Sequence, residues 1–133
     1  MKTQNRRRRS RAGVTLIEMM VVVIIIALFA VLVGPRLFQQ VDKAKVVKAR
    51  TDINGFEAAM VQYHADNGVF PPQEQGLEAL RPYLRKDIPL DPWNHAYVYK
   101  YPGEHGEEPD IISYGADGQP GGEGVNADIV SWK

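Results

Sequence analysis

The sequence contains no cysteine in its 133 residues. No disulfide can brace its loops, which leaves a metal ion or packing between subunits as the usual support for a small core. Cysteine absence suits a reducing or an oxidising compartment equally and places the chain in neither. Histidine is scarce, and His64, His95 and His105 lack the fixed ligand spacing of a zinc site or a catalytic imidazole. No nucleophile motif is present, and no glycine loop is followed by the Lys-Ser/Thr of a phosphate-binding site. Trp93, Trp132 and the tyrosines read as packing residues. An enzyme is not expected.

Acid is missing from residues 1–13, which carry Lys2, Arg6, Arg7, Arg8, Arg9 and Arg11. The formal net charge of zero therefore hides a split, because the other 120 residues hold 10 basic and 16 acidic side chains, a net of −6. A basic block can mark nucleic-acid binding. Here an apolar run follows directly, so the charge is read as the cytoplasmic flank of a membrane segment, with no nucleic-acid partner. Met19 to Val33 is apolar throughout, and the twenty residues from Val14 to Val33 include only two polar ones, Thr15 and Glu18. At about 1.5 Å per residue, a helix of that length matches the hydrocarbon thickness of roughly 30 Å. The run is too long for a strand. A secretory signal peptide would end in a small-x-small site, whereas this run ends Val31-Leu32-Val33-Gly34-Pro35-Arg36. A plain signal anchor gives no reason to keep Glu18, since a carboxylate at mid-bilayer costs about 2.5–3.5 kcal/mol.

The stretch Arg11-Ala12-Gly13-Val14-Thr15-Leu16-Ile17-Glu18 resembles the type IV pilin-like leader: basic residues, a glycine, a hydrophobic residue, then glutamate at the fifth mature position. The resemblance implies cleavage between Gly13 and Val14 by a prepilin peptidase, followed by N-methylation of Val14. Phe or Met is commoner than Val at that first mature position. It also implies that Glu18 neutralises the N-terminal amine of a neighbouring subunit during assembly. The expected organisation is a cleaved basic leader at 1–13, a transmembrane and assembly helix at 14–34, and a periplasmic domain at 35–133. Pro35 removes one helical hydrogen bond. Pilin-like proteins have a proline at the equivalent place, which makes Pro35 a candidate hinge, the alternative being a helix end at the membrane surface.

Beyond it, Leu37 to about Ala65 reads as amphipathic, with Ile53, Phe56, Met60 and Tyr63 forming one stripe. Asn67-Gly68 suits a C-terminal cap, and Pro71-Pro72 forbids continuation. A short second helix is expected over Gln73–Leu84. Asp91-Pro92 suggests a turn. Tyr97, Tyr99 and Tyr101 alternate as in a strand, a second strand is expected at Asp110–Tyr114, and the two should pair antiparallel across Gly103–Pro109. A last extended piece is expected from Asp128 to Trp132.

The segment "SYGADGQPGGEGVNADIVSW" holds five glycines between Ser113 and Trp132, with Asp117 and Asp128 bracketing most of them. Oxygen-bearing side chains on such a loop suit a hard cation such as calcium, or the segment is a flexible polar loop. It is not an EF-hand, since nothing acidic occupies the third or fifth position counted from Asp117. Together "FPPQEQGLEAL", "DPWNHAYVY" and "YGADGQPGGEGVNADI" resemble the major (G-type) pseudopilins of the type II secretion system, over most of the chain from Gly13 to Trp132. That resemblance implies an α+β, pilin-like fold. Its long N-terminal helix, membrane half plus amphipathic half, packs on a small antiparallel sheet with a C-terminal metal-binding loop. It implies calcium held by Asp117 and Asp128, with the carbonyls of Tyr114 and Gln119 as partners. Asn94 stands where the family often has glycine. The implied function is structural: a homopolymeric pseudopilus, built in the periplasm from inner-membrane precursors, that exports folded proteins across the outer membrane. Minor pseudopilins, the inner-membrane assembly platform and the prepilin peptidase are the implied partners. Two alternatives are a type IV pilin for adhesion, motility or DNA uptake, and a membrane-anchored calcium-binding module that never polymerises.

Overall fold

The computed structural model describes residues 13–133, so the basic leader lies outside it apart from Gly13. One helix, α1, runs from Leu16 to Asn67, 52 residues, and continues through Pro35. The chain divides into two units with the boundary between Phe38 and Gln39. In the N-terminal unit the apolar side chains from Leu16 to Val33 are exposed. This stretch of α1 is, among the described residues, the only one long and apolar enough to cross a membrane.

In the C-terminal unit, α1 buries Ala49, Ile53, Phe56, Ala59 and Met60, and Tyr63 packs partly buried beside them. These positions step by three and four, so one stripe faces the core and the rest faces solvent. The expected stripe is thus present, joined by Ala49 and Ala59. Gly68 ends the helix at φ 73°, its N–H donating to the His64 carbonyl at 2.8 Å, the left-handed cap that glycine alone adopts cheaply.

The second helix takes 3-10 form over Gly76–Tyr83, shorter than the expected Gln73–Leu84. Its buried residues, Leu77 and Leu80, are three apart, which matches the three-residue turn of that helix. Three short strands follow: β1 (Val98–Lys100), β2 (Asp110–Ser113) and β3 (Ile129–Val130). They form an antiparallel sheet in the order β1-β2-β3. Tyr99 pairs with Ile111 and Ser113 with Ile129. β1 is shorter than the Tyr97–Tyr101 alternation suggests because the Tyr101 N–H donates to the Gln73 side chain at 2.7 Å instead of to a strand.

Tyr97, Tyr99, Ile111 and Ile129 meet the helical stripe together with Leu77 and Leu80. Phe56 and Tyr97 touch edge to face at 5.1 Å, a favourable aromatic geometry. Arg50 on α1 donates to the Val130 carbonyl at 2.5 Å and the Lys133 carbonyl at 3.3 Å, tying β3 to the helix.

Candidate functional site

Thr15 starts α1. Its Oγ1 accepts the Glu18 N–H at 3.3 Å and its carbonyl accepts the Met19 N–H at 3.2 Å. Thr15-Leu16-Ile17-Glu18 is therefore the Thr-x-x-Glu helix start in which a hydroxyl satisfies a donor of the first turn. The pattern is readable in the sequence, although it is not among the expected features. Glu18 also sits where the helix dipole favours negative charge. Gly13, Val14 and Glu18 are all exposed. Among the described residues the Glu18 carboxylate has no ion-pair partner.

The glycine loop is built on the end of β2. Tyr114 is half-buried, Asp117 and Gln119 are exposed and Asp128 is half-buried. The Gln119 N–H donates to Asp117 Oδ1 at 3.1 Å, a local turn. On the returning arm, Asp128 Oδ2 accepts the Gly121 N–H at 2.9 Å. The arms join where the Ala116 N–H donates to the Val125 carbonyl at 2.9 Å. Gly115 has φ 65°, and a Cβ there would lie 2.8 Å from the Val125 oxygen and 2.9 Å from the Ala127 oxygen. Only glycine fits.

The other Asp128 oxygen, Oδ1, is buried without a hydrogen-bond partner. Buried carboxylate oxygens are almost always paired, and a hard cation is the partner that suits an oxygen beside a carbonyl-rich loop. The loop's residues therefore fit calcium. Among the described residues no three His, Cys, Asp or Glu side chains are grouped to hold a metal, so backbone carbonyls would have to supplement the aspartates.

A second feature escaped sequence analysis. Asp91 is 2% exposed and Ser113 0%. Asp91 Oδ1 accepts the N–H groups of Trp93 and His95 at 3.0 and 2.8 Å, and Oδ2 accepts the Ser113 hydroxyl at 2.7 Å. The expected turn at Asp91-Pro92 is thus anchored under the loop. Tyr97 lies nearby and donates to Asp52 at 2.9 Å. Burial raises its phenol above the ordinary value, and the Asp52 hydrogen bond and the charges of Asp52 and Asp91 add to this.

A groove of about 850 Å³ includes Glu57, His64, His105, Glu108 and Trp132. Burial and the Glu108 charge raise the Glu57 carboxyl, opposed by Arg50. His105 is held within the groove wall, stacked on Trp132 at 3.7 Å and bonded to Asp110 at 2.9 Å. Ser131 also lines the groove, but its Oγ is occupied in accepting the Ile111 N–H at 3.0 Å.

Residues 36–132 match the family described as Type II secretion system (T2SS), protein G, and residues 8–34 match the prokaryotic N-terminal methylation motif. The type II secretion system core protein G of Pseudomonas aeruginosa is 43% identical over 140 residues, covering 94% of this chain and 97% of that protein. Its namesake in Vibrio cholerae serotype O1 is 44% identical over 137 residues, covering 93% of each. The crystal structure of the major pseudopilin from the type 2 secretion system of enterohaemorrhagic Escherichia coli is similar at TM-score 0.59 and 34% identity, covering 74% of this chain and 95% of that one.

Proposed function

The chain belongs to the type II secretion system protein G family and is a structural subunit of the pseudopilus, and we propose that Glu18 and the N-terminal amine created at Val14 drive its assembly. The observation that carries this is the exposed apolar half of α1, which bears a single carboxylate in its first turn. Cleavage between Gly13 and Val14 removes six positive charges and leaves one methylated amine. In a low-dielectric bundle of helices, an amine and a carboxylate that find each other are strongly attracted, and either one alone is costly. A neighbouring copy supplies the missing partner, which favours one axial register over free diffusion in the bilayer. Pro35, which lacks an N–H for the ladder, is the place where α1 can extend as copies pack.

The basic leader sets the orientation: N-terminus cytoplasmic, C-terminal domain periplasmic. Before assembly the chain is an inner-membrane precursor processed by a prepilin peptidase. It then polymerises with its own copies and with minor pseudopilins on the inner-membrane platform, and the growing filament drives folded cargo across the outer membrane. No catalytic step is assigned to it. N-terminal sequencing and mass of the chain extracted from membranes tests the scheme. A methylated Val14 start is the expected result, and a mature chain that begins at Met1 overturns it.

The loop takes calcium in the same scheme. Asp128 and Asp117 supply carboxylate oxygens, and the carbonyls of Tyr114 and Gln119 complete part of the shell. The unpaired Oδ1 of Asp128 supports this assignment. Bound calcium would supply the charge that draws both arms of the loop together, the role a disulfide would otherwise fill. Raising calcium against a chelator background should raise the melting temperature of the full chain in detergent. A melt indifferent to calcium would remove the ion from the scheme and leave the assembly proposal standing.

A further inference from the structure

His95 has no part in the assembly scheme, yet it touches the loop at two points. Its Nδ1–H donates to the Gly115 carbonyl at 3.2 Å. Its ring also lies against Gly118, where an added Cβ would come within 3.1 to 3.4 Å of three ring atoms. Gly115 and Gly118 bracket Asp117, so a group that fixes both fixes the segment carrying that carboxylate. The base of His95 is itself rigid. Its N–H is held by Asp91 Oδ1 at 2.8 Å, and its carbonyl accepts the Asp91 N–H at 2.8 Å. From the other side, the Gly115 N–H reaches Ser113 Oγ at 3.4 Å, and that hydroxyl donates to Asp91 Oδ2. One buried carboxylate therefore anchors both the turn that carries His95 and the strand end that carries Gly115.

We infer that His95 is a positioning residue for the cation loop, a strut from the Asp91 turn that holds Gly115 and Gly118 in the binding geometry before any ion arrives. The calcium consequence rests on the proposal that this loop takes calcium; the strut itself does not. A loop held open by thermal motion binds in proportion to its competent fraction. Removing the imidazole deletes one hydrogen bond and a ring contact, which should weaken calcium binding about tenfold. The side chain is 39% exposed, so its loss leaves the core intact.

The test uses the full chain in detergent. Calcium chloride is titrated calorimetrically, and amide hydrogen exchange is followed in a calcium chelator. His95→Ala should speed exchange at Gly115 and Ala116 in chelator, leave Ile111 and Ile112 as slow as before, and weaken calcium about tenfold. His95→Asn places an amide N–H near the former Nδ1 and should restore slow exchange at Ala116 and much of the affinity. Unchanged exchange at Gly115 and Ala116 in both variants overturns the strut, as does an unchanged calcium affinity in His95→Ala. If the unaltered chain binds no calcium, the calcium assignment fails alone, and the exchange in chelator still decides the strut.

Discussion

Gly115→Ala should cost the C-terminal domain much of its stability, and the size of the loss follows from two separable terms. At φ 65° an L-residue is in left-handed backbone, which costs about 1–2 kcal/mol. The new methyl would also sit 2.8 Å from the Val125 oxygen and 2.9 Å from the Ala127 oxygen, so the returning arm must move. That movement strains the Ala116–Val125 hydrogen bond, worth about 1 kcal/mol. Together these give roughly 2–3 kcal/mol, or a melting temperature lower by about 8–24 °C for a domain of this size. Gly121→Ala is the control, because φ there is 95° but nothing lies within 4 Å of the added Cβ; only the backbone term applies. Both tryptophans, Trp93 and Trp132, lie in the C-terminal unit. Tryptophan fluorescence of the full chain in detergent with chelator therefore reports on that unit, without the membrane helix. If Gly115→Ala melts no lower than Gly121→Ala, the packing argument for the loop is wrong.

Glu18→Ala should leave membrane insertion and leader removal intact but abolish most filament formation, scored by shear fractions and cross-linking between copies; normal filaments from this variant would sink the amine–carboxylate pairing. Asp128→Ala should lose the calcium-dependent rise in melting temperature, and persistence of the full rise would move the site elsewhere. Ile53→Ala, at a position with 0% exposure, should destabilise the domain by about 2–5 kcal/mol in denaturant titration. Tyr97 and Tyr99 both have phenols raised above their ordinary value of 10, chiefly by burial. Folding therefore favours their neutral form: this contribution is fully present below pH 10 and is lost as the pH rises above it. Unfolding should set in above that pH, and Tyr97→Phe should blunt it; an alkaline limb equally steep in Tyr97→Phe would contradict this.

Much of the architecture is legible because it depends on local chemistry. The stripe at Ile53, Phe56, Met60 and Tyr63, the cap at Gly68 and the strand at Asp110 each follow from spacing or backbone preference. The 3-10 form of Gly76–Tyr83 and the shortened β1 do not; the strand is cut short by a distant partner, Gln73 bonded to Tyr101. The candidate site divides the same way. Asp117 and Asp128 stand out by residue type and glycine context. Asp91, Ser113 and His95 do not, since Asp91 and Ser113 are 22 positions apart in the chain and meet only in the folded domain. The missed helix start at Thr15 is different, for Thr-x-x-Glu is a pattern that needs no tertiary information.

The three strands contain only three, four and two residues, and the shorter two form the outer rows of the sheet. Crowding many copies side by side invites backbone templating, the route to cross-β aggregates, wherever a long strand lies unpaired at an edge. This subunit offers such templating at most a three-residue rung. A pseudopilus subunit, present in many copies, is thereby spared a long edge that its neighbours could extend.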